Sequence, residues 1–104
     1  MIDEIIRELA GRIVSLCDPE EIWLYSRKTD LSDKLISFKL CVVTTASNKA
    51  AVEAEIYLQL DCVSPYNLII YTTEEWAAAG RNPNSFARSI LLKGQKLYGK
   101  KTLE

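Results

Sequence analysis

Histidine is absent from the 104-residue chain. That absence excludes Ser-His-Asp triads and Cys-His pairs and removes the commonest transition-metal ligand. Cysteine is scarce. Cys17, Cys41 and Cys62 are odd in number, widely spaced and without a C-x-x-C pattern, which fits reduced thiols better than a disulfide frame or a zinc site. Charge of one sign is lacking too. The formal net charge is −1, so no global basic field exists to hold a polyphosphate backbone, and nucleic-acid binding would need a local patch. No apolar run approaches the length of a membrane span. Met1-Ile2-Asp3-Glu4 is acidic and amphipathic, unlike a secretory leader, so a cytoplasmic protein is expected.

What is present reads as one folded domain over residues 1–104. Hydrophobic residues make up 48% and charged residues 26%, a balance that favours a globular core over disorder. Ile2, Ile5, Ile6, Leu9, Ile13 and Leu16 recur at helical spacing, and Asp18-Pro19 ends that helix. Ile22–Tyr25 predicts a first strand, residues 27–34 a polar loop, and Leu35–Thr45 a longer second strand. Ser47 or Asn48 caps a helix running to about Leu60, and Ser64-Pro65 breaks the chain. Tyr66–Tyr71 predicts a third strand, Thr72 or Thr73 the cap of a short helix, and residues 85–93 a last helix stopped at Gly94. The alternation implies an α/β sandwich with a small mixed three-stranded sheet flanked by helices.

Taken singly, the polar residues have plain structural roles. Lys39 reads as a solvated lysine or as the partner of Asp30 or Asp33. Ser26 and Arg27 read as turn residues, and Asn67 as a local hydrogen-bonding residue. Trp23, Tyr66 and Tyr71 fill core or cover a sheet face. Trp76 anchors its alanine-rich helix, while Glu53 and Glu55 form the wet face of the middle helix. Lys93, Lys96, Lys100 and Lys101 read as a solvated tail that is also the one local basic patch. Cys41 reads as an inert core thiol.

The order of elements, the T-x-E-type helix start at Thr72 and the terminal Lys-Gly-Gln-Lys-Leu-Tyr segment resemble the minimal nucleotidyltransferases, of the superfamily that includes kanamycin nucleotidyltransferase and DNA polymerase beta. The resemblance spans nearly the whole chain as an order of elements. In that family a Gly-Ser follows the first strand, an Asp-x-Asp lies on the second and a third Asp on the next. Alternate strand residues share a face, so Asp-x-Asp presents paired carboxylates to Mg²⁺. Here Tyr25-Ser26-Arg27 stands where Gly-Ser-Arg would, Ser37-Phe38-Lys39 where Asp-x-Asp would, and Asn67 where the third Asp would. Ser26 and Arg27 are kept, while the Gly and all three carboxylates are replaced.

The resemblance therefore implies a degenerate nucleotidyltransferase-like domain with a vestigial pocket of Tyr25, Ser26, Arg27, Ser37, Lys39 and Asn67, no catalytic residue, no metal site and no cofactor. It also implies a bacterial or archaeal protein working through protein contacts, as an antitoxin-like partner of a helical HEPN protein or as a homodimer. One alternative is a metal-independent nucleotide- or phosphate-binding regulatory module using Lys39 and Arg27. Another is an active enzyme with a relocated site drawing on Asp30, Asp33 and Asp61, none of which forms an i, i+2 acid pair.

Overall fold

The computed structural model describes residues 3–100. Their order is α1 (Glu4–Cys17), β1 (Glu21–Thr29), β2 (Leu35–Thr44), α2 (Lys49–Gln59), β3 (Tyr66–Thr72), α3 (Thr73–Gly80), α4 (Phe86–Lys93) and β4 (Gln95–Gly99). Asp3 caps α1 by accepting from the Ile5 amide, and the helix buries Ile6, Leu9, Ala10 and Ile13 on one stripe. Full burial of each large aliphatic side chain is worth roughly 1.5–3 kcal/mol. Asp18, at φ 47°, turns the chain out of the helix in the left-handed region that Asp tolerates better than most residues. Of the expected apolar series, Ile2 lies outside the described residues, as does Lys101 of the basic cluster.

The sheet has four strands in the order β3-β2-β1-β4, not three. It is mixed as expected: β1 pairs antiparallel with β2 and β4, and β2 pairs parallel with β3. The additional strand, β4, comes from the segment read as a lysine-rich tail. Gly94 closes α4 through its amide to the Ile90 carbonyl at 2.7 Å, and Gln95–Gly99 then lies beside β1. Lys100 continues this attachment, its amide donating to the Glu20 carbonyl at 2.8 Å and its ammonium pairing with Asp18 at 3.0 Å and Glu20 at 3.6 Å. Lys96 stands 6.0 Å from the Trp23 ring centroid, within cation–π range.

Strand β1 also runs farther than its apolar segment, to Thr29, so residues 27–29 are paired and only the tip is loop. Asp30 shapes that tip. Its carboxylate accepts from the amides of Ser32 and Lys34 at 2.8 and 2.9 Å, and Asp33 adopts φ 65°.

Helices cover both faces. On one, α1 and α2 pack with Ile22, Leu24, Phe38, Leu40, Val42, Leu68 and Ile70. On the other, Cys41, Val43, Trp76, Ala87 and Ile90 form a second core with Trp23, Tyr25, Ile69 and Tyr71. Leu40 to Thr44 is buried without interruption because β2 is sandwiched there. Before Leu40 the burial is interrupted, with Phe38 buried and Lys39 exposed. The covering by α3 and α4 ends at that point.

Both edges of the sheet are guarded. On β3 the Leu68 amide donates to the Tyr57 hydroxyl at 2.9 Å and the Thr72 amide to the Glu75 carboxylate at 3.0 Å. On β4 a bulge lies opposite Ile22 and Trp23. A short, bulged, lysine-bearing strand is a poor template for another chain. Pairing of another chain at these positions is thereby impeded. Among the described residues the large hydrophobic side chains left exposed are Leu31, Ile36, Tyr57, Leu58, Val63, Phe86 and Leu92.

Candidate functional site

The row Ser26–Lys39–Asn67 runs straight across three strands. Ser26 is in register with Lys39 on β1 and β2, and Lys39 with Asn67 on β2 and β3. Neighbouring strands lie about 4.8 Å apart, and partners in register share a face. Ser37 joins this face two residues before Lys39. Ser26, Lys39 and Asn67 are exposed and Ser37 is half-buried. Four of the six expected pocket residues therefore occupy one open patch, continuous with the second core through Cys41.

The other two depart from it. Arg27 is in register with Phe38, which is buried in the first core, so Arg27 belongs to the opposite face. Tyr25 sits at the irregularity between Leu24 and Ser26. Its ring packs edge-on against Phe86, centroids 5.3 Å apart, and belongs to the second core. Burial pushes its hydroxyl pKa up, with smaller contributions from Cys41, Tyr57 and Tyr71.

Lys28 was given no role by sequence reasoning. It is exposed and in register with Ser37, which places it on the Lys39 face. The sequence carried no local signal for it: residues 27–34 read as a polar loop, and plain alternation from Ile22 and Leu24 would put Lys28 on the other face, which only the irregularity at Tyr25 reverses. The expected neutralisation of Lys39 by Asp30 or Asp33 is not formed among the described residues, where the ion pairs involve Lys49 and Lys100. Asp30 instead holds the hairpin turn.

The donor set has clear chemistry. Two ammoniums, two hydroxyls and an amide can donate to an anion but cannot replace carboxylates around a divalent cation. A Lys39 ammonium about 4 Å from Mg²⁺ would be repelled by several kcal/mol at an effective dielectric near 20. Among the described residues no three His, Cys, Asp or Glu side chains gather as a metal site, so Asp30, Asp33 and Asp61 do not assemble one elsewhere. Cys41 lies fully buried beneath this patch, and burial raises its thiol pKa from 9.0 to about 12, so it is no nucleophile. No helix among the described residues is long and apolar enough to cross a membrane. No protein-family model matches the chain, and no curated protein and no solved structure matches it either.

Proposed function

We propose that the chain is a nucleotidyltransferase-like domain that performs no nucleotidyl transfer and acts by binding another protein. The observation that carries the reading is the shared face of Ser37, Lys39 and Asn67. These positions correspond to the three carboxylates of the family that the sequence resembles, and here they bear a hydroxyl, an ammonium and an amide. Without paired carboxylates nothing on that face holds Mg²⁺ against a triphosphate. The alternation of helices and strands around a mixed sheet supports the resemblance at the level of architecture.

Protein contact is the role that this reading assigns. Leu31, Leu58, Val63 and Leu92 supply exposed apolar surface, of the kind that marks contact sites when it is contiguous. The partner class is a helical HEPN-type protein, with this chain as the antitoxin-like half of the module. Purification of the tagged chain from its native host recovers such a helical protein in stoichiometric amount if the reading holds. Each labelled ribonucleoside triphosphate, incubated with Mg²⁺ or Mn²⁺ and cell extract, leaves no labelled acceptor. Label transfer that disappears on Ser26→Ala sinks the reading.

A further inference from the structure

Lys28 and Lys39 are diagonal neighbours across β1 and β2. Lys28 is in register with Ser37, and Lys39 with Ser26 on one side and Asn67 on the other. Diagonal Cβ atoms in antiparallel strands are separated by roughly 7–8 Å or less, so two lysine stems can bring their ammoniums to one small ligand. Among the described residues neither lysine has a carboxylate partner, whereas Lys49 and Lys100 do. The acid that follows Lys28 most closely, Asp30, is held by two backbone amides of the turn. The strands fix both stems on a sheet that packs against a core on this same face, so the mutual repulsion of the two charges is relieved best by a multiply charged anion.

We propose that this face binds a di- or triphosphate group without a metal ion, with Lys28 and Lys39 as ionic contacts and Ser26, Ser37 and Asn67 as hydrogen-bond donors. Lysine ammoniums act on phosphate oxygens as point charges with rotatable donors. The cluster holds no carboxylate or imidazole to move a proton, so the anion is bound and no bond is broken. Free polyphosphate is favoured over a nucleic-acid backbone. The chain has a net charge of −1, and this cluster supplies two ammoniums, whereas a long polyanion is held by many basic contacts along its backbone. The inference stands on strand register alone and needs neither the family resemblance nor a protein partner.

Calorimetry on the full chain in EDTA at low salt, with inorganic triphosphate, ATP and a short single-stranded oligonucleotide as probes, tests it. Triphosphate and ATP bind, and the affinity falls as salt rises. Lys28→Gln and Lys39→Gln each weaken binding by about tenfold or more, the loss of one charge-assisted contact. Lys49→Gln, on α2 and paired with Glu75, leaves it within about twofold, which is below the scale of one such contact. Circular dichroism confirms that the variants fold, as expected for exposed side chains. No heat from triphosphate at millimolar concentration, or equal affinity in Lys39→Gln, overturns the proposal. So does oligonucleotide binding that triphosphate fails to displace. Metal-dependent label transfer would overturn the inactive reading above but leaves the binding measured in EDTA unchanged.

Discussion

The Tyr57 hydroxyl, from α2, accepts the backbone amide of Leu68 on β3 at 2.9 Å. A side chain thus occupies a hydrogen-bonding position that another strand would use, so the helix that crosses from β2 to β3 also closes the edge it creates. Replacing Tyr57 by Phe keeps the ring stacked on Tyr66, now 5.4 Å between centroids, but leaves the amide without its partner. Loss of one such hydrogen bond costs about 1 kcal/mol, read as a lower urea midpoint. Light scattering should show more self-association in the variant. An unchanged midpoint with unchanged scattering would show that the hydroxyl guards nothing.

The helices and inner strands were legible because their signals are local. Asn48 and Thr72, each one of two caps that the sequence suggests, cap α2 and α3, α4 begins where it was expected, after the cap Ser85, and the apolar stripe of α1 faces the core. Strand β4 was not legible. Gln95-Lys96-Leu97-Tyr98 has no clean alternation, its bulge breaks the period, and its pairing with β1 is set by residues more than seventy positions earlier. The site divides the same way. That Ser37 and Lys39 share a face follows from strand periodicity, whereas the addition of Lys28 and the removal of Arg27 depend on the irregularity at Tyr25.

Thr72 and Glu75 form a reciprocal capping box at the start of α3, and Lys49 pairs with Glu75 at 3.0 Å. Thr72→Ala is expected to cost about 1 kcal/mol in equilibrium unfolding. The amide of Thr72 first, and the Lys49 ammonium next, hold the Glu75 carboxyl below its ordinary value of 4.5. A lowered pKa contributes stability above the unfolded value and loses it as pH falls through the folded one. Glu75→Gln should therefore cost stability at neutral pH and progressively less below 4.5. A cost that is constant with pH would contradict the ionic part of the cap.

Alkaline pH acts in the opposite sense. Burial raises the pKa values of Cys41, Cys17, Tyr25, Tyr66 and Tyr71. For Cys41 the stabilising difference is complete below 9.0 and is lost as pH rises toward about 12. Denaturant midpoints should be flat between about pH 6 and 8, where histidine would otherwise titrate, and should then fall steadily. In thiol labelling, Cys41 should react last, at the rate of unfolding. Early labelling of Cys41 in the native protein would contradict its burial.

Gly94 stands where α4 meets β1. A methyl group there would lie 2.7 Å from the Ile90 carbonyl oxygen and 3.1 Å from that of Leu24. These are backbone atoms, so relief requires moving the helix end away from the strand. Gly94→Ala should lower stability by about 1–3 kcal/mol, the usual range for forced overpacking. Thermal unfolding that matches the parent would mean that the helix end yields freely.

The pairing of β4 with β1 ties residues near the end of the described chain to residues near its start, through Lys96 opposite Trp23 and Lys100 bonded to Glu20. A nascent chain emerging from the ribosome has α1, β1 and β2 in hand long before this partner arrives. Until then β1 is itself an edge, with Trp23 lacking the lysine that overlies it in the finished fold. Completion of the sheet thus waits until β4 has been synthesised, and the exposed flank of β1 is the surface on which chaperones, or premature pairing with another nascent chain, would act.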